Sequence, residues 1–281
     1  TACGHDTLRT NTTGSNNTAV GENALDGNTT ASNNTAIGYY ALNANTTGTR
    51  NTALGAEALD AVTTTSDNTA VGYQALTANT SQNNTAVGRS ALAASTTGNN
   101  NTAVGRLAMS NADVTGTNNV AMGYQALYAD TTGVDNIAIG SNAADAMTSG
   151  GGNVALGVNA LGDATTSGCN VAIGFNALAA SVDDGENLIA IGKGAMGATD
   201  VSGDHNIAIG NDTANAITTG FQNIAIGLDS YGAATTGCVN IAIGITAMGT
   251  GVTTGSDNIC LLYTSDAADE RSSVDLGGRR I

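Results

Sequence analysis

Polar and apolar positions alternate in a short pattern, Asn-(Thr/Val/Ile)-Ala-(Val/Ile/Leu/Met)-Gly, which recurs along nearly the whole chain. Successive copies lie 17 residues apart, with a few spacings of 16 or 18. The glycines of the pattern are Gly21, Gly38, Gly55, Gly72, Gly88, Gly105, Gly123, Gly140, Gly157, Gly174, Gly192, Gly210, Gly227 and Gly244. A period of this length is typical of repeat proteins in which each unit packs only against its neighbours.

The rest of each unit contains one apolar pair and one polar loop. An Ala-Leu pair or a close variant begins three residues after the glycine, as at Ala24 and Leu25, and a segment such as residues 45–49 follows it. Gly, Asn and Thr favour turns and local side-chain hydrogen bonds. We therefore expect each unit to hold two short strands, joined by a tight corner at the glycine and by a polar loop.

A single unit is too small to fold alone. Ordering its residues costs about 1–2 kcal/mol each, whereas burying two or three large apolar side chains returns about 1.5–3 kcal/mol apiece. The pattern therefore predicts an all-β parallel β-solenoid, or β-roll, of about fifteen stacked coils in residues 1–259, with both ends cut inside the array. At about 4.8 Å per coil this is a rod roughly 70 Å long.

The pattern alanine is present in every complete copy, whereas the residue after it varies between residues such as Val20 and Met122. Side chains alternate across a strand, so the alanine faces one side and its two neighbours face the other. In later copies these neighbours are also apolar, as at Ile207 and Ile209. A thin coil buries only one face, so we expect other chains to cover the second face in a parallel homotrimer. The sequence leaves open which face is internal.

Charge and cysteine content exclude several function classes. The chain has 23 acidic and 8 basic residues and a net charge of −15, so it would repel a nucleic-acid backbone. No run of about 18 apolar residues indicates a membrane span. The four cysteines, Cys3, Cys169, Cys238 and Cys260, lack metal-site spacing. Cys169 and Cys238 lie four units apart, too far for an intrachain disulfide.

No set of residues has the pattern of a catalytic or cofactor-binding site, and we expect a non-enzymatic protein without cofactors. His5 and His205 fall in variable positions, and no nucleophile or carboxylate recurs beside them. Four aspartates stand one or two residues before the pattern asparagine, where stacked carboxylates would suit calcium. They are Asp67, Asp135, Asp204 and Asp257. Their copies are not adjacent, which favours solvated turns over a metal site.

Aromatic residues one or two positions after the glycine are the best candidates for contacting a sugar or a surface. They are Tyr39, Tyr40, Tyr73, Tyr124 and Phe175. The alternative interpretation is that they only space or solubilise the corner. Basic residues before position 260 are few: Arg9, Arg50, Arg89, Arg106 and Lys193. A basic surface for nucleic acid is therefore not predicted.

A threonine follows the pattern asparagine in the early copies and suggests a third function, ice binding on a flat solenoid face. The threonines are Thr18, Thr35, Thr52, Thr69, Thr85 and Thr102. Later copies replace them with Val120, Ile137, Val154, Val171, Ile207, Ile224 and Ile241. The companion position holds apolar residues rather than a second threonine, which argues against ice binding.

The sequence Asn-Thr-Ala-Val-Gly followed by x-x-Ala-Leu resembles the head repeats of trimeric autotransporter adhesins. The longer Asn-Thr-Thr-Gly-Ser-Asn loop is similar to repeats in bacterial and phage tail fibre domain proteins. The resemblance implies a left-handed parallel β-roll in an extracellular trimeric fibre, on a bacterial surface or a virion tail. It also implies a host-surface, matrix or glycan ligand, whose binding residues the sequence leaves unknown.

The repeat pattern stops after Ile259, and residues 260–281 have a different composition. This segment resembles the translation of a sequencing-library adapter, with residues 270–273 at the place of a variable index. We therefore predict that residues 260–281 are a non-native tail and dispensable for the fold. Arg271, Arg279 and Arg280 are given no functional weight for this reason.

Overall fold

A computed structural model describes residues 1–111, 113–181, 185–249 and 254–262. In this part of the chain, 16 short strands form one parallel sheet in which every strand pairs with the next one in sequence. The strands are β1 (Ala2–Cys3), β2 (Thr18–Val20), β3 (Thr35–Ile37), β4 (Thr52–Leu54), β5 (Thr69–Val71), β6 (Thr85–Val87), β7 (Thr102–Val104), β8 (Val120–Met122), β9 (Ile137–Ile139), β10 (Val154–Leu156), β11 (Val171–Ile173), β12 (Ile189–Ile191), β13 (Ile207–Ile209), β14 (Ile224–Ile226), β15 (Ile241–Ile243) and β16 (Ile259–Leu261). No helix is present in the described ranges.

The strands stack in register, one per coil. Ala138 in β9 pairs with Ala155 in β10, and Ile137 pairs with Val154. The same alignment of alanine on alanine holds from β2 to β15, including the pairs on either side of the 16- and 18-residue spacings. The prediction of an all-β parallel solenoid of about fifteen coils with a period near 17 residues is confirmed.

The prediction of two strands per coil is wrong, because the Ala-Leu segment forms turns. Asn23 and Leu25 have φ values of 57° and 53°, in the left-handed region that no β-strand adopts. The Leu25 N–H still donates to the carbonyl of Ala41 in the next coil, at 3.1 Å. Equivalent bonds join each corner to the next, so the coils stack through turns as well as through strands.

The interior of the coils is filled by alanines and by larger apolar residues such as leucine. The strand alanine and the corner pair are fully buried, as for Ala138, Ala126 and Leu127, each with 0% exposure. The alanine face of the strand therefore points inward, which answers the question that the sequence left open. The other face is half-buried or exposed, so a single coil buries only one strand face, as expected from the sequence.

Enlarging an inward alanine should destabilise the coil more than changing its outward neighbour. We expect Ala138→Leu to cost about 2–3 kcal/mol, because the buried strand has no space for three more carbons. Ile139→Leu should cost less than about 1 kcal/mol, since Ile139 is half-exposed and pairs with Leu156 in the next coil. Urea unfolding followed by circular dichroism measures both variants, and equal losses would contradict the close packing.

Buried asparagines form a second interior row that sequence reasoning assigned to turns. The Oδ1 of Asn17 accepts the N–H of Asn34 at 2.9 Å, and its Nδ2 donates to the carbonyl of Ala31 at 2.8 Å. The same pair of bonds recurs in most coils, as for Asn136 with the N–H of Asn153 and the carbonyl of Gly150. Each amide therefore ties the strand and the polar loop of one coil to the next coil.

The stack continues slightly beyond the predicted end of the array. Cys260 and Leu261 belong to β16 and pair with Ala242 and Ile243 of β15. Cys260 takes the position that alanine occupies in the other coils, so these residues extend the fold instead of leaving it. Residues 263–281, which carry the rest of the predicted non-native tail, lie outside the described residues.

Candidate binding surface

The outward side of the sheet is a regular surface that runs along the stacked strands. We call it the outer strand face, and it consists of the first and third residues of strands β2 to β15. Third-position residues are apolar in every coil, and several are well exposed, such as Leu54 at 44% and Leu156 at 42%. Soluble monomers rarely expose a continuous apolar row of this length.

The first row of the outer strand face changes its chemistry halfway along the rod. It holds threonine in β2 to β7 and valine or isoleucine from β8 to β15. From Val120 to Ile243 both rows are therefore apolar, over about 34 Å at 4.8 Å per strand. At the far end, Ile224, Ile241 and Ile259 line a shallow groove with residues of the adjacent turn. The apolar half of the rod is the part best suited to contact another surface.

A second exposed surface is the corner row, which consists of the residue that directly follows each pattern glycine. It contains four of the five aromatic candidates, namely Tyr39, Tyr73, Tyr124 and Phe175, with exposures of 41–50%. Tyr40 lies one position later and is half-buried, with its ring centroid 4.5 Å from that of Tyr39. Four of the five aromatic candidates therefore stand at an exposed corner, and their ligand stays a prediction.

Three of the four aspartates considered for calcium occupy one turn position. Asp67, Asp135 and Asp257 have φ values of 57–64°, and Asn or Asp tolerates this left-handed conformation better than most residues. Asp67 accepts two hydrogen bonds from Arg50 at 2.6 and 2.7 Å, and these bonds lower the pKa of its carboxyl. Asp204 stands one residue earlier and accepts the N–H of Glu186 at 2.9 Å.

Acidic, His and Cys side chains are the candidates for a metal site. In the described ranges no group of three or more of them could hold a metal ion. His5 lies in the first coil beside Asp6, whereas His205 occupies the left-handed turn before β13. All four cysteines are free, and each of them lies in a different coil. The structure thus places the acidic and histidine candidates at turns, with local roles in the backbone.

The left-handed turn before the pattern asparagine also predicts a stabilising substitution. Val239 occupies it with a φ of 57°, which is unfavourable for a β-branched residue, and its side chain is 44% exposed. Val239→Asn should stabilise the protein by about 1 kcal/mol, because most other coils carry Asn or Asp there. Thermal unfolding of the two proteins measures the gain, and a loss of stability would contradict the assignment of strain.

One buried carboxylate was not identified from the sequence. Asp130 is fully buried at the loop position that Asn28 and Asn45 occupy in other coils. It accepts the N–H of Gly133 at 2.9 Å and the Nδ2–H of Asn119 at 3.4 Å. Burial raises its pKa to about 7. The sequence signal that could have identified it is the alignment of Asp130 with Asn28 and Asn45, which shows that this loop position recurs along the rod.

Within the described residues no helix is long and apolar enough to cross a membrane. No protein-family model matches the chain, and a search of curated proteins found no significant relative.

Proposed function

We propose that the chain is a non-enzymatic structural and adhesive segment of an extracellular trimeric fibre, as in the head or shaft of a bacterial surface adhesin. The observation that carries the proposal is the outer strand face, whose third-position row is apolar in every coil of a stack in register. A rod of this kind separates and displays binding surfaces, and its repeated rows suit assembly with copies of itself.

The trimer axis lies on the outer strand face. Ala208 fills the interior of its own coil, whereas Ile209 points outward and is 36% exposed. In a parallel trimer each row meets the same row of the other chains at the same height. The apolar half from β8 to β15 would then be covered along its whole length. Burial of this apolar area would stabilise the trimer by about 25 cal/mol per Å² removed from water. A left-handed coil, as the resemblance implies, is part of the proposal.

Light scattering tests the trimer, with an expected mass of three times the 27.5 kDa of one chain. Ile209→Asp should dissociate the trimer at protein concentrations where the wild type is intact, because it places three carboxylates in one apolar seam. Ile245→Asp is the matched control, since Ile245 is 55% exposed and belongs to the corner row, not to the outer strand face. A monomeric wild type, or equal effects of the two variants, would refute the assembly.

A phage tail-fibre shaft or receptor-binding segment is the alternative within the same proposal, because it requires the same rod. The sequences that flank the array in its gene distinguish them: an anchoring β-barrel indicates the adhesin, and a fibre-tip chaperone indicates the phage fibre.

Ice binding is supported by one observation, the half-exposed threonines that face outward in β2 to β7. Their companion row is apolar, which favours the fibre function. A thermal-hysteresis assay decides between the two, and we expect no hysteresis.

A further inference from the structure

The corner row contains a cluster of two arginines between two tyrosines. In four consecutive coils the residues after the glycine are Tyr73, Arg89, Arg106 and Tyr124, and all four are exposed. Elsewhere in the row the residues are more varied, and they include small ones such as Ala56. The cluster is therefore not required by the corner itself.

Backbone hydrogen bonds hold the four residues in register. The carbonyl of Tyr73 accepts the N–H of Ser90 at 2.9 Å, and the carbonyl of Arg89 accepts that of Leu107 at 3.1 Å. The carbonyls of Arg106 and Tyr124 make the same bond to the following coils, at 3.2 and 2.9 Å. At about 4.8 Å per coil, the two tyrosines stand roughly 14 Å apart with the arginines between them.

Among the described residues, Arg89 and Arg106 have no acidic partner of the kind that Arg50 has. Arg50 donates two hydrogen bonds to Asp67 of the next coil. Among the described residues, no carboxylate lies within 4.0 Å of the guanidinium of Arg89 or Arg106. Two like charges on neighbouring coils repel each other, and they do so in a chain whose net charge is −15. An anion between them would relieve the repulsion.

The geometry of the side chains indicates the kind of anion. A guanidinium group presents parallel N–H donors that match the oxygen atoms of a carboxylate or a sulfate. The Cζ of Arg106 lies 5.5 Å from the ring centroid of Tyr124, a cation–π contact that steadies the group without using its N–H donors. Exposed tyrosine rings add an apolar face and a hydroxyl, which suit a sugar ring.

We propose that Tyr73, Arg89, Arg106 and Tyr124 form a binding site for an acidic sugar. The carboxylate or sulfate group lies between the two guanidinium groups, and the sugar ring packs against a tyrosine. The chain's negative charge disfavours the binding of a long polyanion. A single anionic group between the two arginines interacts mainly with them, because salt screens charges that lie more than a Debye length of about 8 Å away. This site would supply the ligand class of the proposed fibre's displayed surface, and the inference rests on that proposed function.

Titration of the full chain with three related sugars tests the site. The probes are 3′-sialyllactose, which carries a carboxylate, 3′-sulfolactose, which carries a sulfate ester, and neutral lactose. Isothermal calorimetry should show at least one acidic probe binding tenfold or more tightly than lactose. The stronger acidic probe identifies the preferred anion, and comparable binding of all three sugars would overturn the proposal.

A pair of double variants tests the residues. Arg89→Ser with Arg106→Ser should weaken binding of the acidic probe at least tenfold and leave the fold intact, because Ser141 occupies the same row. Arg9→Ser with Arg50→Ser removes the same charge elsewhere and should leave binding unchanged. Equal weakening by both double variants would overturn the site. The mass from light scattering is independent, so a trimer that binds no acidic sugar refutes this site but not the fibre assembly.

Discussion

Gly157→Ala is expected to destabilise the protein by about 3–5 kcal/mol, although it adds only one methyl group. Gly157 has a φ of 142°, a conformation that side-chain-bearing residues rarely adopt. A Cβ atom there would lie 2.5 Å from the carbonyl oxygen of Gly174 in the next coil. To relieve this clash the two coils must separate, which breaks the hydrogen bonds that the strand before Gly157 and the corner after it make to the next coil.

A second glycine with positive φ is the matched control for this substitution. Gly152 has a φ of 70°. The atom nearest to a Cβ there would be the sulfur of Cys169, at 3.6 Å. Gly152→Asn should change the stability by less than about 1 kcal/mol, because Asn tolerates this conformation. Urea unfolding of both variants measures the difference. A Gly157→Ala protein as stable as the control would show that the coils can move apart at little cost.

Asp130→Asn is expected to stabilise the protein by up to about 4 kcal/mol above pH 7. Burial raises the pKa of Asp130 from its ordinary value of 3.8 to about 7, so the folded state must take up a proton or bury a charge. Asn occupies this position in other coils, as Asn45 does, and donates from Nδ2 to the carbonyl of Gly48 at 3.0 Å. An amide at position 130 would be buried without charge at any pH.

The sign of the pH dependence follows from the two pKa values of Asp130. Between about pH 4 and 7 the folded state holds a proton that the unfolded state has lost, so the stability of the wild type falls as the pH rises. Below pH 4 both states are protonated and the cost vanishes, whereas above pH 7 it is complete. The variant's advantage should therefore be large at pH 8 and near zero at pH 4.

Asp135→Asn is the control for Asp130→Asn, since Asp135 is an exposed carboxylate of the same coil. It should change the stability by less than about 0.5 kcal/mol at either pH. Urea unfolding at pH 4 and pH 8 measures all three proteins. An advantage of Asp130→Asn that is the same at both values would contradict the buried, proton-linked carboxylate.

The period, the register and the tight alanine row could be predicted from the sequence, because stacking copies the same constraint onto every coil. The corner could not, since Leu25 is a poor residue for a left-handed turn and reads as part of a strand. Its burial and its bond to the next coil compensate for the unfavourable conformation. The inward face was also ambiguous, because Ile207 and Ile209 are as apolar as the interior.

The candidate surfaces were predicted in part. The exposed aromatics at the corner follow from their place after the glycine. The buried asparagine row could not be predicted, because asparagine is typical of turns and Asn17 is nevertheless buried. Asp130 was missed for a related reason: a lone aspartate in a polar loop gives no sign that the loop position points inward. Only the aligned coils show which loop side chain enters the rod.

Among the described residues, the hydrogen bonds between coils join each coil to the one before and the one after it, about 17 residues away along the chain. The entropy lost in closing one such loop depends on its own length, not on the length of the array. Each additional coil therefore presents the folding chain with the same small step, and relative contact order falls as the rod grows. Duplication of a 51-base-pair unit in the gene would lengthen the rod by one strand spacing of about 4.8 Å without making it slower to nucleate.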